Sequence, residues 1–184
     1  ALGDAALPAE GMGAIPRQLA AALPPGTVRT HAPIEAIEAS AVRVAGERHP
    51  AVAIVLATDG ESARCFAPAL PELRHNGTAC LSFAAEQDPV GEAVLVLDAE
   101  RGGPVNHVCV PSAVAPSYAP PGQALISASV VGVPRESDAE LERVVRAQLA
   151  GWFGPAVRGW RLLRIDRIAK ALPSQPVGWL EPVE

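Results

Sequence analysis

Four β-prone runs follow one another between residues 78 and 131 with no helical pattern between them, and this succession restricts the chain more than any other feature. The runs cover residues 78–85, 93–98, 105–110 and 123–131. Turn-rich segments separate them, such as Glu100-Arg101-Gly102-Gly103-Pro104 and Pro116-Ser117-Tyr118-Ala119-Pro120-Pro121-Gly122. Successive strands joined this way predict a mainly antiparallel or mixed sheet of four or five strands. A helix signal comes next. Ser137-Asp138-Ala139-Glu140 has the form of a capping box, with Ser137 accepting from the Glu140 amide and the Glu140 side chain returning to the Ser137 amide. Leu141, Val144, Val145, Leu149 and Trp152 then recur at helical spacing, one apolar face that should cover the sheet. Gly154-Pro155 ends it, and a last strand is expected over residues 157–168. The fold class is α+β, a sheet covered by helices.

The first third of the chain has a different texture. Gly11-Met12-Gly13 opens a helix expected over residues 13–23, with Ile15, Leu19 and Leu23 as its narrow apolar stripe, and Pro24-Pro25-Gly26 stops it. A strand is expected over residues 28–31, and a short β-meander over 34–38, 41–45 and 52–57, with Gly46-Glu47-Arg48-His49-Pro50 as the last turn. Asp59 is placed to cap a short helix over residues 59–67, which Pro68 ends.

In their order and spacing, Gly11-Met12-Gly13, Ile34-Glu35-Ala36-Ile37 and Val55-Leu56-Ala57-Thr58 resemble the middle of flavin-containing amine oxidases, phytoene desaturases and protoporphyrinogen oxidases. Residues 169–178, Ala-Lys-Ala-Leu-Pro-Ser-Gln-Pro-Val-Gly, resemble the passage that precedes the second flavin motif of such proteins, with Ser174 inserted and without the aromatic often found after the glutamine. The resemblance implies an internal piece of an FAD-dependent oxidoreductase. Residues 1–67 would be part of the FAD domain, including the helix and meander; 68–170 the substrate-binding domain; and 171–184 the return toward the second FAD motif. It implies that Ile34, Ala57 and Thr58 lie close to FAD in the intact flavoprotein, and that a small apolar or amine substrate is bound. The same chain is expected to hold no flavin alone, because the fingerprint G-x-G-x-x-G after an apolar strand is not matched: Pro16 stands at the third small position. Its partners would be the missing FAD-binding segments of the same protein, with self-association through the N-terminal helix and strand.

Other classes fare worse. A net charge of -5, with fourteen scattered arginines and the single lysine Lys170, argues against a nucleic-acid surface. No apolar run approaches the roughly 20 residues of a membrane span, and a cytoplasmic location is expected. Cys65, Cys80 and Cys109 are widely spaced and no C-x-x-C occurs, so three reduced thiols are expected and no metal site. Alternation puts His107 and Cys109 on one strand face, which reads as packing before catalysis. Ser112 lacks the flanking glycines of a nucleophile elbow, and Lys170 is read as a strand-end charge. No catalytic residue is assigned. The alternative to a flavoprotein piece is a free-standing α/β module for ligand binding or oligomerisation; a hydrolase lacks any triad signature. Leu81, Phe83, Leu95, Leu97 and Val108 line either the core or a roof over the flavin.

Overall fold

The computed structural model describes residues 6–175. The described chain divides into two compact units, residues 6–17 with His75–Pro173, and residues 18–74 with 174–175; the boundary falls inside the first helix, Ala14–Ala21 (α1). The fold is α+β, with two antiparallel sheets of three and five strands.

In the unit built on residues 18–74, the meander forms from strands Ile34–Glu38 (β1), Ala41–Val44 (β2) and Glu47–Pro50 (β3). The third strand does not start at Val52 as expected. Ala45 and Gly46 both adopt positive φ, 51° and 77°, the two-residue primed turn that matches strand twist, so pairing resumes at once with Val44 opposite Glu47. The segment Gly46 to Pro50 is therefore mostly strand, fastened where Glu38 accepts from both Arg43 and Arg48 at 2.9 Å. Residues 51–58 carry no strand. Val52, Ile54, Val55 and Leu56 are apolar at adjacent positions, a pattern that needs a neighbour on each face of a strand. Residues 28–31 also form no strand: the Thr27 amide and hydroxyl both bond to the Pro24 carbonyl, His31 has a φ of 55°, and Pro33 has no donor. Helix Gly60–Phe66 (α2) follows the sequence reading, with Asp59 accepting from the Glu61 and Ser62 amides. Among the described residues, Ala41 and Ala63 are the only buried hydrophobic side chains of this unit.

The other unit holds the core. Strands His75–Ala85 (β4), Val96–Leu97 (β5), Val105–Cys109 (β6), Ala124–Val131 (β7) and Arg161–Pro173 (β8) lie in the order β5-β6-β7-β4-β8. β5 is shorter than expected mainly at its start, where the Val94 amide bonds to the Glu92 carbonyl instead of to a strand, and after Leu97 the Asp98 carboxylate turns the chain by accepting from the Glu100 and Arg101 amides. β8 starts later than expected, since residues 154–159 wind into a 3-10 turn after Gly154, and it runs on to Pro173. A four-residue helix, Pro111–Val114 (α3), packs on β7; Ser112 there accepts from the Leu125 amide, a structural task.

Helix Asp138–Phe153 (α4) covers one face of the five-stranded sheet, as its apolar periodicity requires. Leu141, Val145 and Leu149 are buried against Leu81, Phe83, Val108, Ile126 and Val130, with Val144 and Trp152 packed beside them. Half of the capping box forms: Ser137 Oγ accepts from the Glu140 amide, but the Glu140 carboxylate pairs with Arg143 instead of returning to Ser137. Two helix side chains tie α4 to the sheet. Arg146 lies 5.0 Å over the Phe83 ring and donates to the Val157 and Trp160 carbonyls at 2.8 Å. Gln148 accepts from the Val105 amide at 2.7 Å and donates to the Val105 carbonyl and the Asp98 carboxylate, each at 3.0 Å. No helix among the described residues is long and apolar enough to cross a membrane.

Candidate functional site: the face opposite the helix

A strand turns successive side chains to opposite faces, so the register of β4 to β8 lays out the uncovered face residue by residue. With Ala79, Leu81, Phe83 and Ala85 turned toward α4, the alternates Thr78, Cys80, Ser82 and Ala84 look the other way, all half-buried. On β7 the corresponding set is Leu125, Ser127 and Ser129, and on β6 it is His107 and Cys109. Pairing aligns them in two rows. Asp166, Cys80, Ser129, His107 and Leu97 cross the sheet in one, and Arg164, Ser82, Ser127 and Cys109 in the next.

The centre of this face is hydroxyl and thiol, and its margins are charged or aliphatic. Cys80 Sγ and Ser127 Oγ are 3.1 Å apart. Burial pushes the Cys109 thiol above its ordinary value, an effect that a hydrogen bond with Ser127 opposes, so Cys109 is held protonated and not activated as a nucleophile. His107 shares the face with Cys109, as alternation predicts, but its Nδ1 is 3.1 Å from Asn106 Nδ2. Arg164 pairs with Asp166 on β8 at 2.5 Å. Lys170 lies within β8, not at its end, because the strand continues to Pro173. No group of three or more His, Cys, Asp or Glu among the described residues can hold a metal. The face offers hydrogen-bonding groups and, among the described residues, no nucleophile–base pair.

The structure separates the five apolar residues expected in core or roof into buried and exposed ones. Leu81, Phe83 and Val108 are fully buried under α4. Leu97 shares the face of His107 and is exposed, and Leu95 lies outside the strand, also exposed. The sequence signal for the uncovered face was present but faint: Cys80-Leu81-Ser82-Phe83 and Ile126-Ser127-Ala128-Ser129-Val130 alternate small polar with apolar residues.

Ile34, Ala57 and Thr58 belong to the other unit. Ile34 opens β1 opposite Val44, and Ala57 and Thr58 lie exposed in the approach to α2, where Thr58 Oγ1 donates to the Asp59 carbonyl. The turn at Gly11-Met12-Gly13 is not shaped to grip a pyrophosphate. The Gly11 amide bonds to the Pro8 carbonyl, those of Ala14 and Ile15 to the Gly11 and Met12 carbonyls, and the Arg17 side chain occupies the space beside Gly13, where a Cβ would lie 2.9 Å from its guanidinium. These residues therefore do not fit the phosphate half of a flavin dinucleotide.

The sequence profile of the flavin containing amine oxidoreductase family matches residues 1–181. The chain belongs to that family. Its fold is similar to that of a candidate protoporphyrinogen oxidase from Exiguobacterium sp. 255-15, with 18% identity and a TM-score of 0.67 over 92% of this chain and 41% of that one. It is also similar to an oxidoreductase from Methanosarcina mazei, with 21% identity and a TM-score of 0.51 over 74% of this chain and 35% of that one. A protein from Pyrococcus furiosus matches with 16% identity and a TM-score of 0.53, over 73% and 36% of the two chains. No curated protein matches the chain. The chain thus spans about two fifths of the first of these structures. Family membership implies FAD in the parent protein.

Proposed function

We propose that this chain is the substrate-binding portion of an FAD-dependent oxidoreductase of the amine oxidase type, joined to a piece of its cofactor domain. The observation that supports this reading is the two-faced sheet: α4 seals one side, and the other presents a row of half-buried hydroxyls and thiols with no catalytic base. In such enzymes the flavin accepts the hydride, and the protein supplies binding and orientation. The uncovered face suits that task for a small substrate, an amine or a compact apolar molecule with polar groups. Ile34, Ala57 and Thr58 would border the dinucleotide once the remaining FAD-binding segments are supplied, and the three reduced cysteines suit a cytoplasmic setting.

The test is reconstitution. Incubated with FAD and desalted, the chain alone should emerge colourless, while co-expression with the complementary FAD-binding segments of its own gene should yield a yellow complex. Stoichiometric flavin on the lone chain would overturn the division of labour.

A second reading is an oligomerising module without catalysis, favoured by the exposure of Leu19 and Val55, 66% and 86%. Light scattering separates the two: a concentration-dependent dimer that survives addition of the complementary segments supports the second.

A further inference from the structure

β8 lies at one margin of the five-stranded sheet, and its outer edge pairs with no described strand. None of its thirteen residues is buried, whereas β4 beside it buries Ala79, Leu81, Phe83 and Ala85. A long open edge is a template for a further strand unless bulges, lysine or proline blunt it. β8 has such devices toward its ends. Its register with β4 shifts before Arg164 and again after Ile168, and Lys170 and Pro173 lie beyond Ile168. Between the two shifts, residues 164–168 pair one for one with residues 82–78 of β4. That stretch reads Arg-Ile-Asp-Arg-Ile and holds neither lysine nor proline.

We infer that this stretch pairs antiparallel with the same stretch of a second copy of the chain, about a two-fold axis normal to the sheet and passing through Ile165. Such an axis keeps each face of the sheet, so residues set opposite each other must share a face, and the axis must pass through a residue. Through Arg164, Asp166 or Arg167 it would set two like charges directly opposite, which is destabilising. Through Ile168, half of the pairing would fall in the irregular stretch beyond it. Through Ile165, each Arg164 faces the partner's Asp166, each Asp166 faces the partner's Arg164, and two isoleucines meet beside the core. Arg164 already bonds Asp166 of its own strand, yet its side chain is 74% exposed and that of Asp166 32%, so both can take a second partner. Both stand on the uncovered face, in line with Ser82 and Cys80. The two sheets then join edge to edge with their helices on one side, and four charges of alternating sign border the uncovered face of each copy. The pairing does not depend on the flavoprotein reading. It also differs from association through Leu19 and Val55, which would not respond to residues 164 and 166.

The experiment is a charge swap read by sedimentation velocity on the whole chain over a concentration series. The unmodified chain should form a concentration-dependent dimer. Arg164→Asp and Asp166→Arg each set like charges opposite, and should each leave only monomer at concentrations where the unmodified chain is dimeric, with unchanged far-ultraviolet circular dichroism. Combining the two substitutions in one chain restores opposite charges and should restore the dimer. An equal mixture of the two single variants should form a heterodimer, identified by its mass in native mass spectrometry. A monomeric unmodified chain would give the edge to a different strand and overturn the proposal. So would dimers of either single variant alone, or a double variant that stays monomeric.

Discussion

The region His75–Pro173 and the region 18–74 treat their apolar residues in opposite ways. In the first, Leu81, Phe83, Ile126, Leu141 and Leu149 are withdrawn from water behind one helix. In the second, Leu19, Val28, Val52 and Val55 remain exposed, and two alanines are all the hydrophobic residues buried among those described. Yet the second is no less regular locally: its hairpin has the correct primed turn, its strands are tied by Glu38 to two arginines, and α2 is capped by Asp59. Turn chemistry, ion pairs and caps are enough to give a segment its shape, whereas holding that shape against conformational entropy takes buried area. On the proposed reading, the cover for residues 18–74 is supplied by the rest of the flavoprotein.

The sharpest way to break this contrast is a pair of truncations. Phe83→Ala removes a ring that lies tilted against Trp160 at 6.0 Å and beneath Arg146 at 5.0 Å, and should cost ~3–5 kcal/mol in chemical denaturation followed by tryptophan fluorescence. Val55→Ala, which trims an equally apolar but exposed side chain, should change stability by less than about 0.5 kcal/mol. Comparable losses from the two would show that residues 18–74 have a core after all. A finer comparison uses the helix caps. Ser137→Ala should cost ~1 kcal/mol and speed hydrogen exchange at the Glu140 amide, since the cap lies on a helix that the core needs.

Asp59 gives the smallest effect and carries a pH signature. Hydrogen bonds from the Ser62 hydroxyl and amide hold its carboxyl below the ordinary value. Its folded pKa is depressed, so its contribution is fully present above the unfolded value, near 3.9, and is lost as pH falls through the folded one. Acid should therefore fray α2 first, seen as a shift of the Ser62 amide resonance below about pH 4 that Asp59→Asn abolishes. An unchanged titration in the variant would remove Asp59 as the cause.

Much of this was legible in the chain. Ser137, the spacing from Leu141 to Trp152, Asp59 and the runs around β4, β6 and β7 each state a local preference that agrees with the final packing. Two of the misses share one cause. Residues 28–31 and 51–58 have β-prone composition, but pairing is a property of a partner strand, and none is present among the described residues. β3 was misplaced because Ala45 does not advertise a positive φ, although Gly46 beside it does. The uncovered face escaped notice for another reason: serine and cysteine at alternate positions look like dilution of a core strand until the register shows that they line up across three strands.

The amide of Gln148 has a consequence for solubility. β5 pairs with only two residues of β6, so the outward N–H and C=O of Val105 would form an open sheet edge on which another chain's strand could grow. The glutamine answers both groups, and Gly103 leaves room for it, since a Cβ there would collide with its Oε1. A borrowed side chain thus stands in for a neighbouring strand at this point of the edge, and the Asp98 carboxylate that accepts from the same amide sets a charge beside it.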